Sequence, residues 1–266
     1  MTNQAQGTGW NREIPDRRYR KPPVIEALCE VYFADSAWDD TVPGAFYERI
    51  KSDFPEKRRR EIQQAEFSVG FNEARAGVRT LPPWMQFISD EKHRMIQIAQ
   101  NFLVVNQSAP YPHFEDWEPE ISRSISIYRE LAQPQKIERL GLRYINRVEI
   151  PASMSKIAME DYFAIYPQFP QALGSTCSSF LVRVEAPQID RGHTVLITFA
   201  SSTPQEQTPN VQVFMLDLYD IAQPNKPLDH LDFDEAIKKA HCNLVTAFEN
   251  SITERLRALF ELQGQP

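Results

Sequence analysis

Two stretches of this chain alternate polar and apolar residues and place charges four positions apart. The first, Val24-Ile25-Glu26-Ala27-Leu28-Cys29-Glu30-Val31-Tyr32-Phe33, carries Glu26 and Glu30. The second, Leu142-Arg143-Tyr144-Ile145-Asn146-Arg147-Val148-Glu149-Ile150, carries Arg143 and Arg147. A period of two belongs to a strand with one face buried. Each stretch is followed by a short helical segment, several short strands and a longer helix. Strand, helix, antiparallel strands, helix, written twice, predicts an α+β fold made of two pseudo-repeats. The halves run over 22–134 and 135–266, after a polar arm, 1–21, expected to be flexible.

Pro22-Pro23 biases the entry to the first strand toward extended backbone. On that strand Ile25, Ala27, Cys29, Val31 and Phe33 share the face expected inside. Pro43 suits the first turn of a helix to about Phe54, with Phe46, Ile50 and Phe54 four apart. Strands are expected over 61–69, 84–90, 93–99 and 102–106, with Glu91-Lys92 as a turn. A helix follows over 117–132, carried by Ile121, Ile125, Tyr128 and Leu131 and stopped by Pro134. The second half reads as a strand over 139–150, a short helix over 157–166 and strands over 178–186, 194–200 and 210–221. Ser201 to Asn210 reads as a mobile loop. A long C-terminal helix closes the chain over 233–262, on the stripe Phe233, Ile237, Ala240, Leu244, Phe248, Ile252, Leu256 and Leu259. Asp232 and Glu235 fit a capping box at its start.

The order of elements resembles the saddle of the TATA-box-binding protein, in which the first strands of two repeats lie side by side. If the two leading strands here are neighbours, Glu26 and Glu30 face Arg143 and Arg147, and Leu142, Tyr144, Val148 and Ile150 face the helices. Arg183 and Glu185 extend the charged row. Such a seam is expected to act as an ion-pair lattice that fixes register.

Of the 266 residues 42% are apolar, the proportion of an ordinary globular chain, and enough to fold without a metal or disulfide. Three cysteines, Cys29, Cys177 and Cys242, without CxxC spacing, fit a reducing setting. Cys29 reads as a buried hydrophobe and Cys177 as an exposed, unremarkable thiol. No signal peptide or membrane span is expected, and the predicted location is cytoplasmic. A net charge of −7 opposes general adhesion to polyanions. Two basic runs, Arg17 to Lys21 and Lys57 to Arg60, read as solvated faces or as guards of a strand edge.

The glycines form neither a dinucleotide fingerprint nor a phosphate loop, there is no GxSxG elbow, and no cofactor or metal is expected. His113 with Glu115 and Asp116 reads as the acidic start of a helix rather than a cation site. His241-Cys242 are adjacent on a helix and point apart.

Pro22-Pro23-Val24-Ile25-Glu26-Ala27, the run Leu140 to Pro151 with its Arg-Tyr-Ile-Asn-Arg centre, and the ending from Ala240 to Phe260 resemble a family of sporadically distributed, uncharacterised bacterial proteins of similar length. The family carries no established activity, so the resemblance implies no catalytic residue. Its patchy distribution implies an association with defence or toxin–antitoxin systems.

The expected function is a non-catalytic binding or accessory protein that recognises a protein partner, or forms a homo-oligomer, through the seam Glu26, Glu30, Arg143, Arg147, Arg183 and Glu185. Two alternatives stay open. One is a nucleic-acid binder using Arg58, Arg59 and Arg60 with the strand tyrosines Tyr32, Tyr144 and Tyr219. The other is an enzyme with Glu26, Glu30, Arg143 and Arg147 in a cleft.

Overall fold

A computed structural model describes residues 17–69, 74–151, 157–168, 170, 172, 178–188, 192–202, 211–223, 226–227 and 231–263. The fold is α+β. Its strands are β1 (Val24–Ala34), β2 (Glu56–Val69), β3 (Ala74–Ile88), β4 (Arg94–Ala99), β5 (Phe102–Ser108), β6 (Lys136–Pro151), β7 (Leu181–Gln188), β8 (His193–Ser202), β9 (Val211–Ala222) and β10 (Lys226–Pro227). They form one sheet, ordered β2-β3-β4-β5-β1-β6-β9-β8-β7, with β10 beside β6. Every ladder is antiparallel. The leading strands β1 and β6 are therefore neighbours at the middle of the sheet.

Among the described residues four helices, α1 (Val42–Ile50), α2 (Phe114–Ala132), α3 (Phe233–Ser251) and α4 (Glu254–Leu259), accompany this sheet. One sheet face supplies Ala27, Cys29, Val31 and Phe33 from β1, and Leu140, Leu142, Tyr144, Val148 and Ile150 from β6, to a single core with the helices. That alternation was expected from the period-two pattern, except at Ile25. The β1–β6 register passes from Val24↔Asn146 to Glu26↔Ile145, so Ile25 is an extra, bulged residue and is exposed rather than inward.

Helix α1 carries Pro43 in its first turn as expected but stops at Ile50; beyond it Asp53 and Phe54 donate backbone bonds to the Ile50 carbonyl, and Phe54 is still buried. Helix α2 starts earlier than expected, with Glu115 and Asp116 in its first turn, where the helix dipole favours them. It ends at Gln133, left-handed at φ 42°, just before Pro134. Its Tyr128 stacks on Phe33 at 4.8 Å, and its hydroxyl donates to the Ala99 carbonyl at 2.9 Å.

Strand β3 begins ten residues before the sequence suggests. Pro82-Pro83 sit opposite a register shift between Arg60 and Ile62, where lost N–H donors are tolerated. In place of the short helix expected over 157–166 there is one 3₁₀ turn, Met159–Asp161. Beyond it the backbone is used elsewhere: Phe163 bridges Ile252, and the Thr253 N–H donates to the Tyr162 carbonyl at 3.0 Å.

The same pairing divides the single C-terminal helix that the stripe predicted. Ile252 is extended at φ −124° and ψ 157°, and Thr253 caps α4 by accepting from the Leu256 N–H. At the start of α3, Asp232 accepts from the Glu235 N–H at 3.0 Å, the Asp half of the expected box.

Residues 17–21 are not a flexible arm. Tyr19 bridges Leu262, the Arg20 N–H donates to the Glu261 carbonyl, and the Gln263 N–H donates to the Arg18 carbonyl. The Tyr19 ring is buried edge-on against Phe248 and Phe260, and that burial pins the segment. The expected mobile loop, in its portion 203–210, and Cys177 lie outside the described residues. No helix among the described residues is long and apolar enough to cross a membrane.

Candidate functional site

The sheet face away from the core collects the charged residues that the sequence singles out. Glu26, Leu28, Glu30 and Tyr32 of β1 lie beside Ile145, Arg143, Gly141 and Arg139 of β6. Glu26, Glu30 and Arg143 share this face, but the register staggers them: Glu26 stands opposite Ile145, Glu30 opposite Gly141, and Arg143 opposite Leu28. The expected Glu–Arg ladder therefore does not form.

Each charge finds another partner. Arg143 binds Asp217 of β9 with two parallel contacts, Nε to Oδ1 at 2.8 Å and Nη2 to Oδ2 at 2.5 Å. Those hydrogen bonds raise the guanidinium pKa and outweigh burial, which lowers it. Arg147 turns along its own strand to Glu149 at 2.8 Å. Glu30 accepts from the Tyr219 hydroxyl and has Arg139 at 3.8 Å. Burial, and then the Glu30 carboxylate, push the Tyr219 phenol above its ordinary range. The Arg139 guanidinium also lies 3.9 Å from the centre of the Tyr32 ring, a cation–π contact.

Gly141 makes the Tyr219–Glu30 contact possible. A Cβ at 141 would stand 2.6 Å from Tyr219 Cε2 and 2.7 Å from its hydroxyl. Only a residue without a side chain leaves β6 low enough for the tyrosine to cross it.

Glu26 ends a row of side-chain amides. Gln86 Nε2 donates to Gln97 Oε1 at 2.8 Å, Gln97 Nε2 to Asn106 Oδ1 at 3.0 Å, and Asn106 Nδ2 to Glu26 Oε1 at 2.9 Å. The three amides are buried, so each hydrogen bond offsets a desolvation cost and fixes the orientation of the next. Beside the row, Ala99, Phe102 and Val104 form a second apolar cluster with Leu28, Tyr32 and Trp84.

Arg183 and Glu185 pair with each other at 2.9 Å on β7 and are exposed. They do not continue the seam directly, because β9 and β8 lie between β6 and β7. Arg58, Arg59 and Arg60 are exposed on β2, at the other end of the strand order, and Arg58 is held by Glu56. Of the strand tyrosines, Tyr32 and Tyr219 stand on the face away from the core. Tyr144 does not; it is buried against the helices.

The Arg-Tyr-Ile-Asn-Arg block thus serves both sides of β6. Its arginines go to the outer face, while Tyr144 and Asn146 line a cavity of about 430 Å³ between the sheet, α3, the start of α2 and residues 17–24. Inside it, the Tyr111 hydroxyl donates to Tyr144 at 3.3 Å, and the Tyr144 hydroxyl lies 2.8 Å from His241 Nδ1. Burial lowers the His241 pKa from 6.5 to about 4. The imidazole is therefore neutral near neutral pH, with its Nδ1 against the Tyr144 hydroxyl. Phe114 stacks on this ring at 4.0 Å and 5°.

This cavity is absent from the sequence reading. The visible signal was Asn146, a polar residue on the inward side of an alternating strand, while Tyr111 and His241 come from distant segments that only the fold assembles. A further buried group joins the same sheet face: Asp220 is 2.5 Å from His193 and accepts from Asn243 at 2.8 Å. No protein-family model matches the chain, and no curated protein matches it.

Proposed function

We propose that this protein is a non-catalytic binding protein that recognises a protein partner with the outer face of its sheet. One observation carries the reading. The acidic and basic groups of the β1–β6 junction are already engaged with neighbours, Arg143 with Asp217 and Glu30 with Tyr219, rather than left to act on a substrate. Groups so paired are set to present shape and charge, whereas proton transfer calls for a group poised near neutrality.

The two-repeat saddle belongs to this proposal. It is supported by the strand order, in which β5-β4-β3-β2 extend from β1 on one side and β9-β8-β7 extend from β6 on the other. The second repeat is the less complete, with a 3₁₀ turn where the first has α1. Membership of the sporadically distributed bacterial family, and through it a role in defence or toxin–antitoxin systems, rests on the Arg-Tyr-Ile-Asn-Arg block and is a proposal of the same standing.

The test is capture of partners by the tagged full chain from its native host, repeated with the charge reversals Arg183→Glu and Glu185→Arg on exposed β7. A partner held by the wild type and lost on reversal supports the reading. Equal capture by both, or turnover of a small molecule with no partner, overturns it. The nucleic-acid reading draws on Arg58, Arg59 and Arg60, and its own check is a salt-dependent affinity for DNA or RNA.

A further inference from the structure

We propose that β7, the strand at one end of the sheet, pairs antiparallel with β7 of a second copy of this chain, about a two-fold axis through Val184. The contact lies on the sheet's edge and stands apart from the reading of its outer face. β7 ends the strand order, and among the described residues no strand pairs with its outer edge. Its ladder to β8 runs without a register shift from Leu181↔Ala200 to Gln188↔His193. In line with that ladder, the Ser201 N–H donates to the Phe180 carbonyl at 3.2 Å. Antiparallel bonding alternates along a strand, so the even-numbered residues of β7 bond to β8. Leu181, Arg183, Glu185 and Pro187 therefore turn their backbone groups outward. Pro187, with no N–H to offer, falls in that outward set, where an edge strand tolerates it. Open backbone groups of this kind are a template for another strand.

The side chains select a copy of the same strand. Antiparallel pairing about Val184 sets Arg183 opposite Glu185 of the second copy, and Glu185 opposite its Arg183. Both residues are exposed and already pair along β7 at 2.9 Å, so two copies close a ring of four alternating charges. Opposite charges directly across a ladder stabilise it. Their backbones face outward as well, so each such pair also exchanges two main-chain hydrogen bonds. On the core side, Val182, Val184 and Ala186 extend the rows of Phe199, Ile197 and Val195. Val184, left 41% exposed, meets its own counterpart, and Val182 meets Ala186. Leu181, 69% exposed on the other side, lies against Pro187. The opposite edge, β2, is guarded by the run Lys57 to Arg60, which repels a second copy of itself.

Sedimentation velocity of the purified full chain tests this from about 1 µM to about 1 mM, the range in which a small interface dissociates. The wild type is expected to pass from monomer to dimer. Arg183→Glu or Glu185→Arg alone sets two like-charged pairs across the axis and is expected to weaken the dimer about tenfold or more. The exchange of both, Arg183→Glu with Glu185→Arg, restores opposite charges and is expected to regain most of the association. Circular dichroism checks that each variant keeps the fold. Val184→Cys is expected to form a disulfide between copies on mild oxidation, mapped by mass spectrometry, because such a pair brings Cα atoms to ~4.5 Å. Val182→Cys, whose counterpart lies four positions along the strand, is expected not to. A monomer at every concentration would overturn the pairing. So would a dimer that single reversals leave unchanged, one that the exchange fails to restore, or crosslinking through Val182→Cys as readily as through Val184→Cys. The purified chain meets no other protein here, so failure of this pairing and failure of partner capture are separate results.

Discussion

The Tyr219 hydroxyl reaches the Glu30 carboxylate by crossing β6 at Gly141, where there is no side chain to block it. A contact between strands that are not direct neighbours thus depends on one missing methyl group. Gly141→Ala is expected to push the ring away and destabilise the fold by about 1–3 kcal/mol, the usual cost of overpacking. In a Tyr219→Ala background the same change should cost much less. Urea denaturation of the four proteins checks this, and additive costs would show that the crossing does not matter.

Arg143 and Asp217 form a two-point contact between β6 and β9, with side chains 37% and 21% exposed. Half-exposed pairs of this geometry should couple by about 1 kcal/mol, measured by a double-mutant cycle with Arg143→Ala and Asp217→Ala. Arg143→Lys keeps the charge and loses the planar fork, so most of the coupling should go with it. Molar salt should weaken what remains.

How much of this was legible in the sequence depends on which forces were local. Period-two alternation exposed β1 and β6, their inward faces, and even their charged outer faces. Register was not legible, because the bulge at Ile25 offsets the ladder without changing the alternation around it. Ion-pair partners follow register, so Asp217 and Tyr219 could not be named. The break at Ile252 was hidden for a similar reason: a helical stripe continues through it, and backbone pairing with residues near Phe163 overrides the local preference. Asn250, Ser251 and Thr253 were the available hint: the first two donate to the carbonyls four residues back, and Thr253 accepts from the Leu256 N–H, as groups near helix ends do.

His241 provides a pH signature. Its pKa falls from 6.5 in an unstructured chain to about 4 in the folded one, because burial disfavours the imidazolium. Between those values the unfolded state binds more protons, so this group makes stability rise with pH. Its full effect is present above 6.5 and is lost as pH falls toward 4, amounting to roughly 3 kcal/mol. His241→Gln should flatten that part of the stability–pH curve relative to wild type, as measured by chemical denaturation at a series of pH values. Equal slopes for the two proteins would contradict a neutral buried ring.

Thr253 accepts from the Leu256 N–H and donates to the Asp161 carbonyl at 2.6 Å. Thr253→Ala should cost about 1 kcal/mol, the ordinary value of a lost N-cap. Amide exchange over Glu254–Leu259 should quicken before that of α3. Unchanged protection in α4 would mean that packing of Leu256 alone holds the segment.

The division of one strand between two environments has a consequence for how this chain can change over time. Along β6, odd positions from 141 to 149 meet the outside and even positions from 140 to 150 meet the interior, as on any strand whose side chains alternate. Insertion or deletion of a single codon within it would swap that parity, driving Arg143 and Arg147 into hydrocarbon and ejecting Tyr144 and Asn146 into water. Point replacements can tune either surface by itself, but length variation is closed to this segment and must be absorbed by the connections around it.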